Sequence, residues 1–294
     1  MSGIVDLHIH SSNSSDGDFS PAELVGMAAA EGFQAISITD HDSVASYPEA
    51  VELGRRAGVE VIPGIEVTTL FDNREFHLLL PFVDHRSETL AGIIDRVGRA
   101  RLSEAEERVE KLRQLGLPIS WEEVRERSGK NLPLGVSIAA MILAKDEARG
   151  ISSLALYLED KNRNYAPYMF YRDFFMEGRP AFVPKRSVDL LEVMALVPET
   201  GGVPVLSHPG AYFQKTTRED LVRLKDAGLR GLEVYTTYHE PEQTLYYNML
   251  AEELGLVPTA GSDFHGQIKM HIPFGAVREG RYWMVERLRN GRGR

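Results

Sequence analysis

The sequence predicts an α/β fold of parallel strands and helices, in two stretches of strand and helix alternation separated by a helical insertion. Short apolar runs, several alternating with period two, recur near both ends of the chain. Helix-start signals follow several of them. Between residues 87 and 179 the patterning is helical, with no strand-like alternation. At 294 residues the chain suits one large domain with an addition, since barrels of this class run to roughly 250 residues and tolerate insertions.

In Ile4-Val5-Asp6-Leu7-His8-Ile9-His10 the alternation places Asp6, His8 and His10 on one face and the apolar residues on the other. Ser20-Pro21-Ala22-Glu23 has the form of a capping box with proline at the first helical position, opening a helix expected to run to about Gly32. Residues 35–39 read as the second strand, ending at Asp40-His41-Asp42. Ser46 and Glu49 read as another capping box, and Gly58 as the end cap of that helix. A third strand is expected over residues 59–67. Only Phe71-Asp72-Asn73-Arg74-Glu75 separates it from the apolar run 76–83, so a hairpin is expected, with Glu66 and His77 near one end.

The insertion reads as a long charged helix over 88–116, a second opened by Ser120-Trp121-Glu122-Glu123, and an apolar one over 137–149. Strand signals resume at 181–184. They are followed by a helix over 187–198, a strand over 203–206 ending at Ser207-His208-Pro209-Gly210, and a helix over 217–228. A strand over 231–235, a helix over 241–255 and a strand over 256–260 complete the pattern, the last ending at Gly261-Ser262-Asp263-Phe264-His265-Gly266. The expected domains are 1–86 with 180–294 for catalysis, and 87–179 as an inserted helical lid or substrate subdomain. The basic stretch 287–294 reads as a solvated tail.

Composition narrows the chemistry. With no Cys, thiolate metal sites, disulfides and cysteine nucleophiles are excluded. A net charge of −10 argues against binding long nucleic acid. The longest apolar stretch, 134–144, is far short of the roughly 18 residues that span a bilayer. A strand-like run begins directly after Met1-Ser2-Gly3, leaving no room for a signal peptide, so a cytoplasmic location is expected.

His8, His10, Asp40-His41-Asp42, Glu66, His77, His208, Asp263 and His265 gather at strand ends, six of the nine histidines among them. In α/β folds such ends form one mouth. Imidazole and carboxylate without thiolate suit zinc, manganese, iron or cobalt. The donors exceed the roughly four to six that saturate one such cation, which points to two or three ions sharing a carboxylate, with Glu66 the natural bridge. Sites of this kind bind phosphoester oxygens and activate a bridging hydroxide for in-line attack. Amide hydrolases also open with His-x-His, but their binuclear form often adds a strand lysine, and residues 76–83 and 203–207 contain none. Phosphoester hydrolysis fits better. Candidate phosphate-binding cations are Lys185 and Arg186, then Arg163 and Lys161. His239 is a substrate-facing candidate; His85 and His271 also lie outside the strand ends. Tyr168, Phe170 and Tyr171 could stack a nucleobase, core packing being their commoner use.

Asp6-Leu7-His8-Ile9-His10-Ser11, Ser15-Asp16-Gly17, Ile38-Thr39-Asp40-His41-Asp42, Pro63-Gly64-Ile65-Glu66, Ser207-His208-Pro209 and Gly261-Ser262-Asp263-Phe264-His265-Gly266 together resemble the PHP (polymerase and histidinol phosphatase) family. The likeness is greatest to its stand-alone phosphoesterases acting on nucleoside 3′,5′-bisphosphates and short RNA, and it covers residues 1–85 and 180–275. It implies a distorted seven-stranded (β/α)7 TIM-like barrel with a trinuclear centre. One metal would take His8, His10, Glu66 and Asp263, a second Glu66, His77 and His208, and a third Asp16, His41 and His265. Asp40, Glu66 and Asp263 would be the catalytic carboxylates, with Asp40 orienting its neighbours or shuttling a proton. Manganese is the usual metal, zinc and iron the alternatives.

Two departures stand out. The spacing from His10 to Asp16 is one residue longer than the family pattern, and Gly135-Val136-Ser137-Ile138-Ala139 replaces an Arg-x-His-x-Ala segment. The expected substrate is a small phosphorylated nucleotide or a short RNA end, with no membrane partner. Histidinol-phosphate phosphatase and a non-catalytic metal-stabilised scaffold are the alternatives.

Overall fold

The alternating first segment forms β1 (Ile4–Ile9) in the computed structural model of the chain, which describes residues 3–129 and 132–291. Val5, Leu7 and Ile9 are buried, and so are Asp6 and His8 on the opposite face. At the start of α1 (Pro21–Ala30), Ser20 accepts from the Glu23 N–H while the Glu23 carboxylate accepts from the Ser20 N–H. β2 (Phe33–Ile38) pairs parallel to β1 and delivers the chain to Asp40-His41-Asp42. α2 (Glu49–Ala57) ends at Gly58, which is left-handed at φ 74°. The capping box expected at Ser46 is not formed. Pro48 takes the cap position without a side-chain bond, and the Ser46 hydroxyl donates to Asp40 instead.

The strand expected over 59–67 is two strands, interrupted around Pro63, which has no N–H to give a ladder. β3 (Glu60–Val61) completes a three-stranded sheet with β2, and β4 (Glu66–Phe71) begins a six-stranded one. β4 and β5 (Arg74–Leu79) form the expected hairpin. Its turn is only Asp72-Asn73, both left-handed at φ 50° and 61°, as a two-residue turn matching strand twist requires.

α3 (Glu88–Gln114) crosses between the two compact units of the chain, Met1–Val97 with Ser187–Arg294 and Gly98–Arg186. In the second unit its later turns pack with α4 (Trp121–Ser128), α5 (Gly135–Leu143) and α6 (Ala166–Phe174) around Leu112, Val124, Ile138, Ile142 and Phe170, all fully buried. The apolar helix expected over 137–149 stops at Leu143, where Lys145-Asp146-Glu147 ends the apolar face and short 3-10 turns follow. The segment that departs from the family pattern opens α5, and its Gly135, Ile138 and Ala139 are buried there.

The strand expected over 181–184 is absent, since Pro184 cannot donate to a ladder. Pairing starts instead at β6 (Val188–Asp189), parallel to β4, and Asp189 caps α7 (Leu190–Thr200). Then come β7 (Val205–Leu206), α8 (Arg218–Asp226), β8 (Gly231–Thr236), α9 (Pro241–Leu254), β9 (Val257–Gly261) and α10 (Tyr282–Asn290). The larger sheet has the order β6-β4-β5-β7-β8-β9, with only β5 antiparallel to its neighbours. It meets the smaller sheet at two parallel bridges, His41 with Glu66 and Ile9 with Phe264. The basic stretch expected as a solvated tail is helical through Asn290: Leu288 is buried and Arg289 pairs with Glu60. Residues 292–294 lie outside the described residues. No helix among the described residues is long and apolar enough to cross a membrane.

The hairpin is held to α8 by a two-pronged ion pair, Arg74 Nη2 to Asp220 Oδ1 at 2.6 Å and Nη1 to Oδ2 at 3.0 Å. Burial alone would raise the Asp220 carboxyl, but Arg74 and the Thr217 cap outweigh it and hold it below the usual range. Stability from this carboxylate is therefore full above its ordinary pKa of about 4 and is lost as pH falls through the lower native value. Asp220→Asn should cost about 1–3 kcal/mol at pH 7, with the gap to wild type closing below about pH 4 in urea melts.

Candidate metal centre

The strand ends of the first unit bring six imidazoles and three carboxylates together. Glu66, the first residue of β4 and fully buried, lies at the middle. Its Oε2 is 3.1 Å from His8 Nε2 and 3.2 Å from both His10 Nε2 and His41 Nδ1. Its Oε1 is 3.1 Å from His77 Nδ1 and 3.2 Å from His208 Nε2, and it accepts from Ser207 Oγ at 2.9 Å. The hairpin register explains the His77 contact. Thr68 is opposite His77, so Glu66 and His77 are diagonal neighbours on one face. Asp263 Oδ1 lies 3.2 Å and 3.1 Å from His8 and His10 Nε2, and Asp16 Oδ2 lies 3.3 Å from His265 Nε2 and 3.6 Å from His41 Nε2.

Three overlapping groups result: His8, His10, Glu66 and Asp263; His10, Asp16, His41 and His265; and His41, Glu66 and His77. Within each group the donor atoms lie within 4.8 Å of one another. His208 touches Glu66 without joining a group.

Local backbone choices make this crowding possible. Asp42, His208 and Asp263 are left-handed at φ 52°, 23° and 55°, a conformation that costs energy outside glycine and often marks functional sites. A Cβ on Gly261 would stand 2.3 Å from the Cβ of His8, so β1 and β9 can approach only at a glycine. The longer His10 to Asp16 loop is gathered by Ser14, whose hydroxyl donates to Asp16 Oδ1 at 2.6 Å and accepts the His41 N–H at 3.2 Å. Asp40 supports the same loop from below: it accepts from the Ser11 N–H, the Ser11 hydroxyl and the Ser46 hydroxyl. Those bonds commit it to the loop, and among the described residues none goes from Asp40 to a ring.

Burial alone would raise the Glu66 carboxyl, but His8, His41 and His77 outweigh it and hold it well below the usual range. Asp263 is likewise held low despite burial, by Lys269, His265 and His8. Burial opposes charge on His10 and His77, yet the carboxylates beside them push these rings up to about 9 and about 10. His41 and His265 go the other way, because burial and neighbouring imidazoles disfavour their charged forms. An ion entering the site would displace protons from the raised rings.

Divalent cations fit this arrangement. Glu66 Oε2, Asp263 Oδ1, His41 Nδ1 and His265 Nε2 are buried and complete no hydrogen bond, although ring or carboxylate atoms crowd each of them. Orphaned buried polar atoms are costly and rare, and shared coordination would satisfy all four. The donor set is nitrogen and oxygen throughout, suited to borderline and hard divalent ions.

Three residues at the centre carried no motif. Glu233, the one acid in the buried β8, accepts from His8 Nδ1 at 2.9 Å through one oxygen and from the His208 N–H at 2.7 Å through the other. A charge in an otherwise apolar strand was its only signal. Tyr238 and Lys269 both donate to Asp263 Oδ2, at 2.9 Å and 2.5 Å.

Of the expected substrate contacts, His239 lies in the first unit and Lys185, Arg186 and Arg163 in the second. His239 is a structural brace: its Nδ1 donates to the Val234 carbonyl, its Nε2 accepts from the Gly210 N–H, and the ring stacks on Tyr247. Neither nitrogen remains for substrate. Arg186 is tied to Ser103 and Glu107 within the second unit, Lys185 is exposed there, and Arg163 is exposed beside Asp160. Of the rings considered for stacking, Phe170 is core, Tyr171 packs on Phe175, and Tyr168 is exposed.

Comparison with known proteins adds independent information. The family described as PHP domain matches residues 6–132. A phosphoribosyl 1,2-cyclic phosphate 1,2-diphosphodiesterase of Eggerthella lenta is 30% identical over 270 residues, covering 90% of this chain and 95% of its own. A 3′,5′-nucleoside bisphosphate phosphatase of Chromobacterium violaceum is 26% identical over 264 residues, covering 89% and 87%. Among solved structures, a Bifidobacterium adolescentis protein assigned as a metal-dependent phosphoesterase superposes with a TM-score of 0.80 at 26% identity, covering 98% of this chain and 96% of that one.

Manganese or zinc added to chelator-treated protein should raise its melting temperature, because ligands of the folded state stabilise it. Glu66→Gln should remove most of that shift, and Glu233→Gln should weaken metal affinity roughly 10- to 100-fold while leaving the fold intact. A melting temperature indifferent to divalent ions would contradict the fit.

Proposed function

The chain belongs to the PHP domain family, and from that premise we propose that it is a metal-dependent phosphoesterase acting on a small nucleotide. The ester is that of a nucleoside 3′,5′-bisphosphate or of the end of a short oligoribonucleotide. One observation carries this reading: the convergence of six imidazoles and three carboxylates in which Glu66 Oε2, Asp263 Oδ1, His41 Nδ1 and His265 Nε2 are buried and complete no hydrogen bond. The names of the two curated relatives denote phosphate ester hydrolysis, and the −10 net charge favours a small ligand over a long polyanion.

We read the two sheets as one distorted seven-stranded (β/α)7 barrel. β1, β2, β4, β5, β7, β8 and β9 form the ring, the two-residue β3 and β6 lie outside it, and Gly98–Arg186 is inserted in its sequence. The two bridges between the sheets support this reading. We assign three ions: one to His8, His10, Glu66 and Asp263, a second to Glu66, His77 and His208, and a third to Asp16, His41 and His265. Manganese comes first, with zinc or iron as alternatives. Such ions supply positive charge to phosphate oxygens and lower the pKa of water.

The side chains divide the remaining work. Glu233 and the Asp263 carbonyl each accept from a ligand ring's Nδ1, of His8 and His265, which turns both Nε2 atoms inward. Ser207 and His208 share Glu66 Oε1, so the bridging carboxylate is held from the β7 side as well. Asp16, His41 and His77 keep 19%, 12% and 10% of their side-chain surface, against none for His8, His10 and Glu66, so the phosphate enters on their side.

Metal-loaded protein incubated with adenosine 3′,5′-bisphosphate, a 5′-phosphorylated short RNA and histidinol phosphate should release phosphate or nucleotide from one of the first two. Turnover of histidinol phosphate alone would reassign the substrate. No turnover of any, with manganese, zinc or iron bound, would make the module a scaffold. His8→Ala should stay folded by circular dichroism while losing both metal and turnover.

A further inference from the structure

Lys269 closes the short 3-10 turn Gly266–Lys269, six residues beyond Asp263. Its ammonium donates to Asp263 Oδ2 at 2.5 Å and to the Tyr238 hydroxyl oxygen at 3.0 Å, and the Tyr238 hydroxyl donates to the same Oδ2 at 2.9 Å. Asp263 is thereby divided. Its Oδ1 faces His8 and His10, and its Oδ2 faces a cation and a phenol. An ammonium carries three donors. Two are engaged in this triad, and the Lys269 side chain keeps 24% of its surface, leaving the third N–H for a group arriving from solvent.

We propose that Lys269, braced by Tyr238, binds substrate phosphate in this site and favours terminal phosphates, which carry two negative charges, over internal diesters, which carry one. The proposal rests on the phosphoesterase reading and sharpens its substrate class. Lysine is an effective phosphate partner as a point charge. Its attraction scales with the charge it meets, and in a partly buried setting the second charge of a monoester counts for more than it would in water. Because the hydrogen bond to Oδ2 leaves Oδ1 on the histidine side, removing the ammonium does not remove a ligand atom.

The test compares metal-loaded wild type, Lys269→Met, Lys269→Arg and Tyr238→Phe. The readouts are metal content, calorimetric binding of inorganic phosphate, and kcat and KM for p-nitrophenyl phosphate against bis-p-nitrophenyl phosphate. Lys269→Met should keep its metal, bind inorganic phosphate about tenfold more weakly, and raise KM for the monoester well beyond any change for the diester. Lys269→Arg should recover part of the loss, and Tyr238→Phe should show a smaller one. Phosphate affinity equal to wild type in Lys269→Met, or a loss that tracks missing metal, would overturn the proposal and leave Lys269 as a brace for Asp263. Should Lys269→Met fail to fold, Lys269→Gln, which can still hydrogen-bond Oδ2, is read in the same way. Phosphate binding needs no turnover, so a wild type inactive on every ester would fail the activity and still decide the lysine.

Discussion

The two oxygens of Glu66 organise this molecule. Five ring nitrogens from β1, β5 and the ends of β2 and β7 stand within 3.2 Å of them. The backbone of the same residue also joins the sheets: its N–H donates to the Asp40 carbonyl, and its carbonyl accepts from the Asp42 N–H. Seam and centre therefore depend on one register. A slip of one residue would turn the Glu66 side chain to the opposite face, and the imidazoles would lose the carboxylate that offsets their mutual repulsion.

That dependence explains where the fold tolerates conformational cost. Three non-glycine residues beside the centre sit in the left-handed region, and several buried polar atoms lack hydrogen bonds. Regular packing elsewhere offsets these costs. The apolar residues of β4, β5, β7 and β8 form one continuous core with α7, α8 and α9, and the second unit has a core of its own around Phe170. The site is built from strained and unsatisfied groups because a well-packed scaffold holds them.

Much of this was legible in the sequence. Period-two alternation marked β1 and the face that carries His8, and a capping box marked the start of α1. The run from Phe71 to Glu75 marked the hairpin that sets His77 beside Glu66. Illegible were features decided by distant partners. Ser46 has the composition of a helix cap, but Asp40 competes for its hydroxyl and wins. Residues 181–184 look like a strand, but a proline and the neighbouring β4 shift the pairing to Val188. Glu233 and Lys269 lie far along the chain from the His8-x-His10 pair, in segments without a motif, and only the folded neighbourhood of β1, β8 and β9 gives them a role.

The lateral contact of β1 with the end of β9 also has a temporal side. A ribosome makes Asp263 and His265 some 250 residues after His8 and His10, with the whole of Gly98–Arg186 in between. Until that late segment arrives, the Asp6 carboxylate lacks the Ser262 N–H, and the His10 N–H lacks the Phe264 carbonyl. The nascent chain thus holds an incomplete set of donors while the residues between His10 and Asp263 are being added. The full set of donors exists only once the two ends of the fold have met.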